Sequence, residues 1–160
     1  TMADLRAVLE GAGFKDVRTL LQSGNVVCTA KGTPQALAAK MEKAFLTGVG
    51  FSSRFTVLPA SELDAILAAN PFPDAVSEPS RYLLAILADA SVRDRLVPLT
   101  KRDWGPDRIA LGDRTAYCWH KGGILESALP AALAKATGDQ MTARNWATLM
   151  KLQALANAPK

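Results

Sequence analysis

Apolar positions along the chain change period several times, and each change marks an element. In "TMADLRAVLEGAGF", Leu5, Val8 and Leu9 share one helical face, Thr1 and Asp4 stand at capping-box spacing, and Gly11 and Gly13 end the run. This predicts a short amphipathic helix. "DVRTLLQSGNVVCTA" is two β-rich runs around Ser23-Gly24-Asn25, small and left-handed-tolerant residues that suit a tight turn, so it reads as a hairpin. "GTPQALAAKMEKAFL" supplies Thr33 as N-cap and Pro34 at the first helical position, where a missing N–H costs nothing. "SSRFTVLP" follows as a strand, then "SELDAILAANPFP" as a helix capped at Ser61 and ended before Pro71.

Beyond a connector at 71–80 the pattern restarts. Strand "RYLLAILA", a helix from Ser91, strands "DRIALG" and "TAYCWH", a helix from Leu125 to Ala136 ended at Gly138, the short run Met141 to Arg144, and a last helix come in that order. At an offset of 90 residues, Arg18, Leu21, Cys28, Lys31 and Gly32 fall on Arg108, Leu111, Cys118, Lys121 and Gly122. Strand, helix, strand, strand, helix, strand is the order of the split βαββαβ unit. The expected fold is therefore α+β, two tandem ferredoxin-like subdomains over residues 1–75 and 76–160, the first lacking its N-terminal strand. Each half is of a size at which a lone core is marginal, so the halves are expected to pack together.

The residues "LQSGNVV", "ANPFP" and "TARNWATLMKL" together resemble the bacterial family of unknown function numbered 1697 (DUF1697), along almost the whole chain. The resemblance implies two ferredoxin-like subdomains and brings no activity, cofactor or catalytic residue. Members typically begin with a β-strand and a Gly-rich loop ahead of the first helix, whereas this chain starts at Thr1. Where members tend to show Ser-Lys-Leu at the start of the penultimate helix, this chain has Ser127-Ala128-Leu129, which argues against a lysine-dependent role at that position. In a ferredoxin-like sheet the first strand is central, so "SSRFTVL" would lack its neighbour. The expectation is that a strand from upstream of Thr1, or from a second copy, fills that gap.

Composition narrows the function classes only slightly. With 160 residues, 49% hydrophobic and 21% charged, the chain is ordinary globular material, and no apolar run reaches membrane-spanning length, so a cytoplasmic place without membrane contact is expected. Cys28 and Cys118 lie in apolar strands without partners at metal spacing and read as structural thiols. The net charge of +4 comes from the second half, where residues 80–160 hold 12 basic and 7 acidic groups. There is one histidine, His120, and no nucleophile elbow, phosphate loop or metal pair, so no metal or cofactor is implied. Asp103, Asp107, Asp113 and Glu126 are loop acids that read as solvated charges.

Two stretches are left as candidates. In "MTARNWATLMKL", Asn145 as N-cap, the amides behind it and Arg144 beside them suit a phosphate or carboxylate, with Trp146, Leu149 and Leu152 on the buried side of the helix and Lys151 exposed. The leading expectation is a binding protein or small-molecule enzyme holding a small anionic ligand in the cleft between subdomains, at Ser23, Asn25, Arg144 and Asn145. In "TAYCWHK", alternation puts Tyr117, Trp119 and Lys121 on one face and Cys118 on the other, the arrangement that single-stranded nucleic-acid binders use to stack bases. The alternatives are therefore single-strand binding on that face, or an interaction module acting as a dimer; the protein would be a monomer or homodimer.

Overall fold

The central strand of the larger sheet, "YLLAIL", is apolar at every position, and both of its faces are covered. It is β3 (Tyr82–Leu87) in the computed structural model, which describes residues 1–20 and 24–159 apart from the side chain of Met2. The other strands are β1 (Lys15–Leu20), β2 (Asn25–Thr29), β4 (Arg108–Leu111), β5 (Thr115–Trp119) and β6 (Met141–Asn145). The helices are α1 (Met2–Gly11), α2 (Pro34–Val49), α3 (Ala60–Ala68), α4 (Leu129–Thr137) and α5 (Trp146–Asn157). The fold is mixed α and β, with two small sheets and several helices.

The chain divides into two units, Thr1–Ala60 with Lys151–Lys160, and Ser61–Met150. Within the second unit, Glu62 of α3 pairs with Arg114 in the turn between β4 and β5, and the Ile66 carbonyl accepts from Tyr117 of β5.

In the first unit β1 and β2 pair antiparallel, with Arg18 opposite Val27 and Leu20 opposite Asn25. Leu5, Leu9, Phe14, Val17 and Met41 form its core. The expected capping box is present, with Thr1 Oγ1 accepting from the Asp4 amide and the Asp4 carboxylate reaching back to the Thr1 amine. Thr33 caps α2 with Pro34 at its first position, and Gly50 closes it in the left-handed region at φ 93°. The expected strand at 52–58 is not formed. Phe55 and Val57 from that segment pack against the core, and the Phe55 amide reaches the Glu42 carboxylate at 3.5 Å. The apolar alternation of "SSRFTVL" thus reports which side chains turn inward, and a strand needs a backbone partner besides. The two-stranded sheet of the first unit, among the described residues, falls short of the full tandem arrangement expected.

In the second unit the strands lie in the order β4-β5-β3-β6, all antiparallel. That is the spatial order of a split βαββαβ unit. One face carries Ala85, Leu87, Ala116 and Cys118, packed under Leu96, Leu99, Leu129 and Leu133. The other carries Tyr82, Leu84 and Tyr117 and is covered from α3, where Tyr117 Oη donates to the Ile66 carbonyl at 2.7 Å. Two helices differ from expectation. The segment from Ser91 is a run of 3-10 turns, Ala90–Lys101, with Pro98 inside it. The helix expected from Leu125 starts at Leu129, Pro130 taking an early position, after a separate 3-10 turn at Ile124–Glu126.

Leu133 is fully buried between α4 and the sheet. Leu133→Ala is expected to cost about 2–5 kcal/mol of stability, measured by urea denaturation, and a cost below about 1 kcal/mol would contradict that packing.

Candidate functional site

The β6–α5 junction is built by local chemistry on a two-sided sheet. Asn145, the last residue of β6, accepts the Thr148 amide on its Oδ1 at 2.9 Å and so caps α5 as its sequence position suggested. Arg144 lies opposite Leu84 on β3, on the sheet face that α3 covers. Its Nη1 donates to Thr142 Oγ1 at 2.9 Å and to the Ala143 carbonyl at 2.8 Å, and the side chain is half-buried. Burial lowers its pKa from the ordinary arginine value, since leaving water penalises the charged form. The direction matters little for its charge, because an arginine stays protonated across the accessible pH range.

Trp146 opens α5 and stacks on the Tyr82 ring, centroids 5.3 Å apart and planes 10° from parallel. Tyr82 is fully buried, and its hydroxyl donates to Asn70 Oδ1 at 2.5 Å, an oxygen that also accepts the Phe72 amide at 2.9 Å. The "ANPFP" stretch is thereby tied to the sheet. Phe72 packs beside Tyr82 at 6.2 Å, with the Arg108 guanidinium 4.7 Å above its ring and paired to Asp74 at 3.0 Å. Burial raises the Tyr82 pKa far above the ordinary phenol value, so this hydroxyl stays protonated as a donor. Sequence reading missed Asn70, Tyr82 and Trp146 as a cluster. Its signal was faint: alternation in "RYLLAILA" puts Tyr82 in phase with Leu84, and nothing local shows what it meets.

The sequence candidates are distributed unevenly. Arg144 and Asn145 adjoin in the second unit. Asn25 belongs to the first unit, is buried in β2, and donates its Nδ2 to the Leu20 carbonyl at 3.3 Å. Ser23 lies outside the described residues. Tyr117 and Trp119 do share a face, opposite to Cys118, yet they are only 3% and 8% exposed. Both rings are thus covered, and Tyr117 is tied to α3 through the Ile66 carbonyl. Lys121 alone of that set is exposed. On α5, Leu149 is buried and Lys151 exposed as expected, while Trp146 and Leu152 are half-buried. Among the described residues no three His, Cys, Asp or Glu side chains converge as metal ligands, and no helix is long and apolar enough to cross a membrane.

Residues 1–117 match a family model described as a protein of unknown function, DUF1697. The chain belongs to this family. The match bears out the resemblance carried by "LQSGNVV" and "ANPFP"; it ends at Tyr117, so "TARNWATLMKL" lies beyond it. Among solved structures the chain is similar to the conserved bacterial protein SP0830 from Streptococcus pneumoniae, with a TM-score of 0.82, 20% identity, and coverage of 99% of this chain and 89% of that one. At that identity the likeness speaks for the fold. No curated protein gives a significant match.

This DUF1697 chain carries two thiols of different access. Cys118 is buried and its pKa is pushed up to about 12, Cys28 is partly accessible with its pKa raised less far, and desolvation is the cause in both. Native protein at pH 8 is therefore expected to take iodoacetamide slowly at Cys28 and not at Cys118, with both labelled in urea; mass spectrometry reads the sites. Asn145→Ala is expected to lose about 1 kcal/mol through the missing cap, and Asn145→Asp to retain it. Equal Tm values for the alanine variant and the parent would show that the cap contributes nothing.

Proposed function

We propose that the protein binds a small anion, a phosphate or carboxylate, at the β6–α5 junction through Arg144 and the amide end of α5. The observation that carries this reading is a half-buried guanidinium one residue ahead of a capped helix N-terminus. Both features favour negative charge. The helix end contributes a partial positive charge and outward-pointing amides, and the guanidinium contributes donors in a planar fork. A desolvated cation gains more from a counter-charge than a solvated one, because the local dielectric is lower. Asn145 holds the end of the helix open at a fixed place, and Trp146, stacked on Tyr82, holds the first turn against the sheet.

We also propose that the fold is a tandem of two ferredoxin-like subdomains. It is supported by the recurrence of elements at an offset of 90 residues, where β2 (Asn25–Thr29) falls on β5 (Thr115–Trp119) and α1 falls within the 3-10 run Ala90–Lys101. On that reading the first unit is a reduced version of the second unit's plan.

A thermal-shift series with inorganic phosphate, acetate and a sugar phosphate tests the binding. A ligand at about 100 times its dissociation constant adds roughly 2.7 kcal/mol of stability, which moves the Tm by several degrees. The shift is expected to vanish in Arg144→Ala and to survive in Lys121→Ala. No shift with any of the three, or a shift unchanged in Arg144→Ala, rules the junction out as the site.

A further inference from the structure

His120 stands one residue past β5, is fully buried, and has neither ring nitrogen hydrogen-bonded among the described residues. Its backbone, by contrast, is fully engaged. The His120 amide donates to the Arg81 carbonyl at 3.0 Å, and the His120 carbonyl accepts the Gly123 amide at 3.0 Å. The Lys121 amide donates to Asp107 Oδ1 at 3.0 Å, and Arg81 Nη1 donates to the Lys121 carbonyl at 2.6 Å. Four bonds thus hold a short turn closed over an imidazole that makes none of its own. The turn continues into Gly122 and Gly123, the latter at φ 96°, a backbone that bends where other residues are strained.

The geometry points to an acid-opened latch: protonation of His120 releases the turn 120–123 from Arg81 and Asp107 while the sheet stays folded. Neutral imidazole tolerates the apolar face it shares with Cys118, whereas the imidazolium adds a charge and a second N–H donor to a ring whose nitrogens make no hydrogen bond among the described residues. The charged groups on the segments bonded to this turn are Arg81 before β3, Asp107 before β4, and Lys121 of the turn itself. Only Asp107 favours the cation, and its carboxylate is occupied by the Lys121 amide. Burial outweighs that attraction, so the pKa of His120 lies below its ordinary 6.5 in the folded state. The sign follows: above pH 6.5 the ring is neutral folded or open and the latch is at full strength, and below 6.5 the open form takes up protons that the closed form does not. Closure therefore weakens as pH falls from 6.5 to the closed-state pKa. The proton comes from solvent, and the ring regains its hydration by swinging out with the turn.

Being the one histidine in the chain, His120 gives a single imidazole signal, which makes the test direct. Proton NMR of the full chain from pH 8 to pH 5 is expected to show a midpoint below 6.5, with protection factors at the Lys121 and Gly123 amides falling about ten-fold in the same window. The β3 amides are expected to hold theirs, and His120→Phe to abolish the fall at the turn. A midpoint at or above 6.5 overturns the latch, as does loss of protection in β3 together with the turn, or an unchanged fall in His120→Phe. Should that variant not fold, the titration and exchange of the parent protein decide alone. The latch is independent of the anion site, since neither Arg144 nor Asn145 takes part in it.

Discussion

Everything in the second unit depends on covering β3 from both sides. Tyr82 and Leu84 point one way, Ala85 and Leu87 the other, and all four are sealed from water. A strand in that position has no solvated face on which to place a polar residue, which is why "YLLAIL" reads as one apolar run instead of an alternation. Its backbone needs partners on both edges as well, and β5 and β6 supply them. Once β3 is central, the antiparallel order β4-β5-β3-β6 leaves two edges, and the connections must carry helical material over one face.

The covered second face has consequences for where chemistry can occur. A sheet of this type often leaves one face open, and aromatic residues on it then become a contact surface. Here α3 and the segment around Asn70 and Phe72 close it, using Tyr117 and Tyr82 as anchors whose hydroxyls each find an acceptor. Arg114 adds a third tie, reaching Glu62 at 2.9 Å from a nearly buried position and the Leu87 carbonyl at 2.7 Å. The rings that resembled a base-stacking platform serve as cover instead. At the end of the sheet, where β6 hands over to α5, the Arg144 guanidinium sits half-buried beside a capped helix.

Stability and reactivity are distributed differently in the two units. The first unit is small and fixes a two-stranded hairpin against α1 and α2 with a core of five buried apolar side chains. Phe45 braces it by packing edge-on to Phe51 and Phe55, ring centroids 5.3 Å and 5.7 Å away. The second unit has the larger core and also the buried groups with shifted titration, Tyr82, Tyr117, Cys118 and His120, together with the half-buried Arg144. Desolvation is the leading cause for each, so these shifts report burial first and specific charge partners second.

Sequence by itself determined what is local. The Thr1–Asp4 capping box, Thr33 with Pro34, Asn145 as the cap of α5, the hairpin of β1 and β2, and the inward face of β5 were all legible, because caps, turns and alternation are properties of a few consecutive residues. The family, too, was legible from short stretches. Tertiary structure decided whatever depended on a distant partner. Residues 52–58 have strand-like alternation but form no strand, since pairing needs another backbone alongside. The apolar periodic segment Ala90–Lys101 is wound as 3-10 turns, which the pattern of side chains does not encode. Tyr117 and Trp119 were placed correctly on one face, yet only the packing of α3 decided that the face is closed. Likewise the partners of Tyr82 come from Asn70 and Trp146, 12 residues before it and far beyond it in sequence, and His120 became a buried, unpaired imidazole only when the turn closed over it. Periodicity fixes the side a residue faces; the free energy of burial depends on what arrives there, and that is a property of the folded chain.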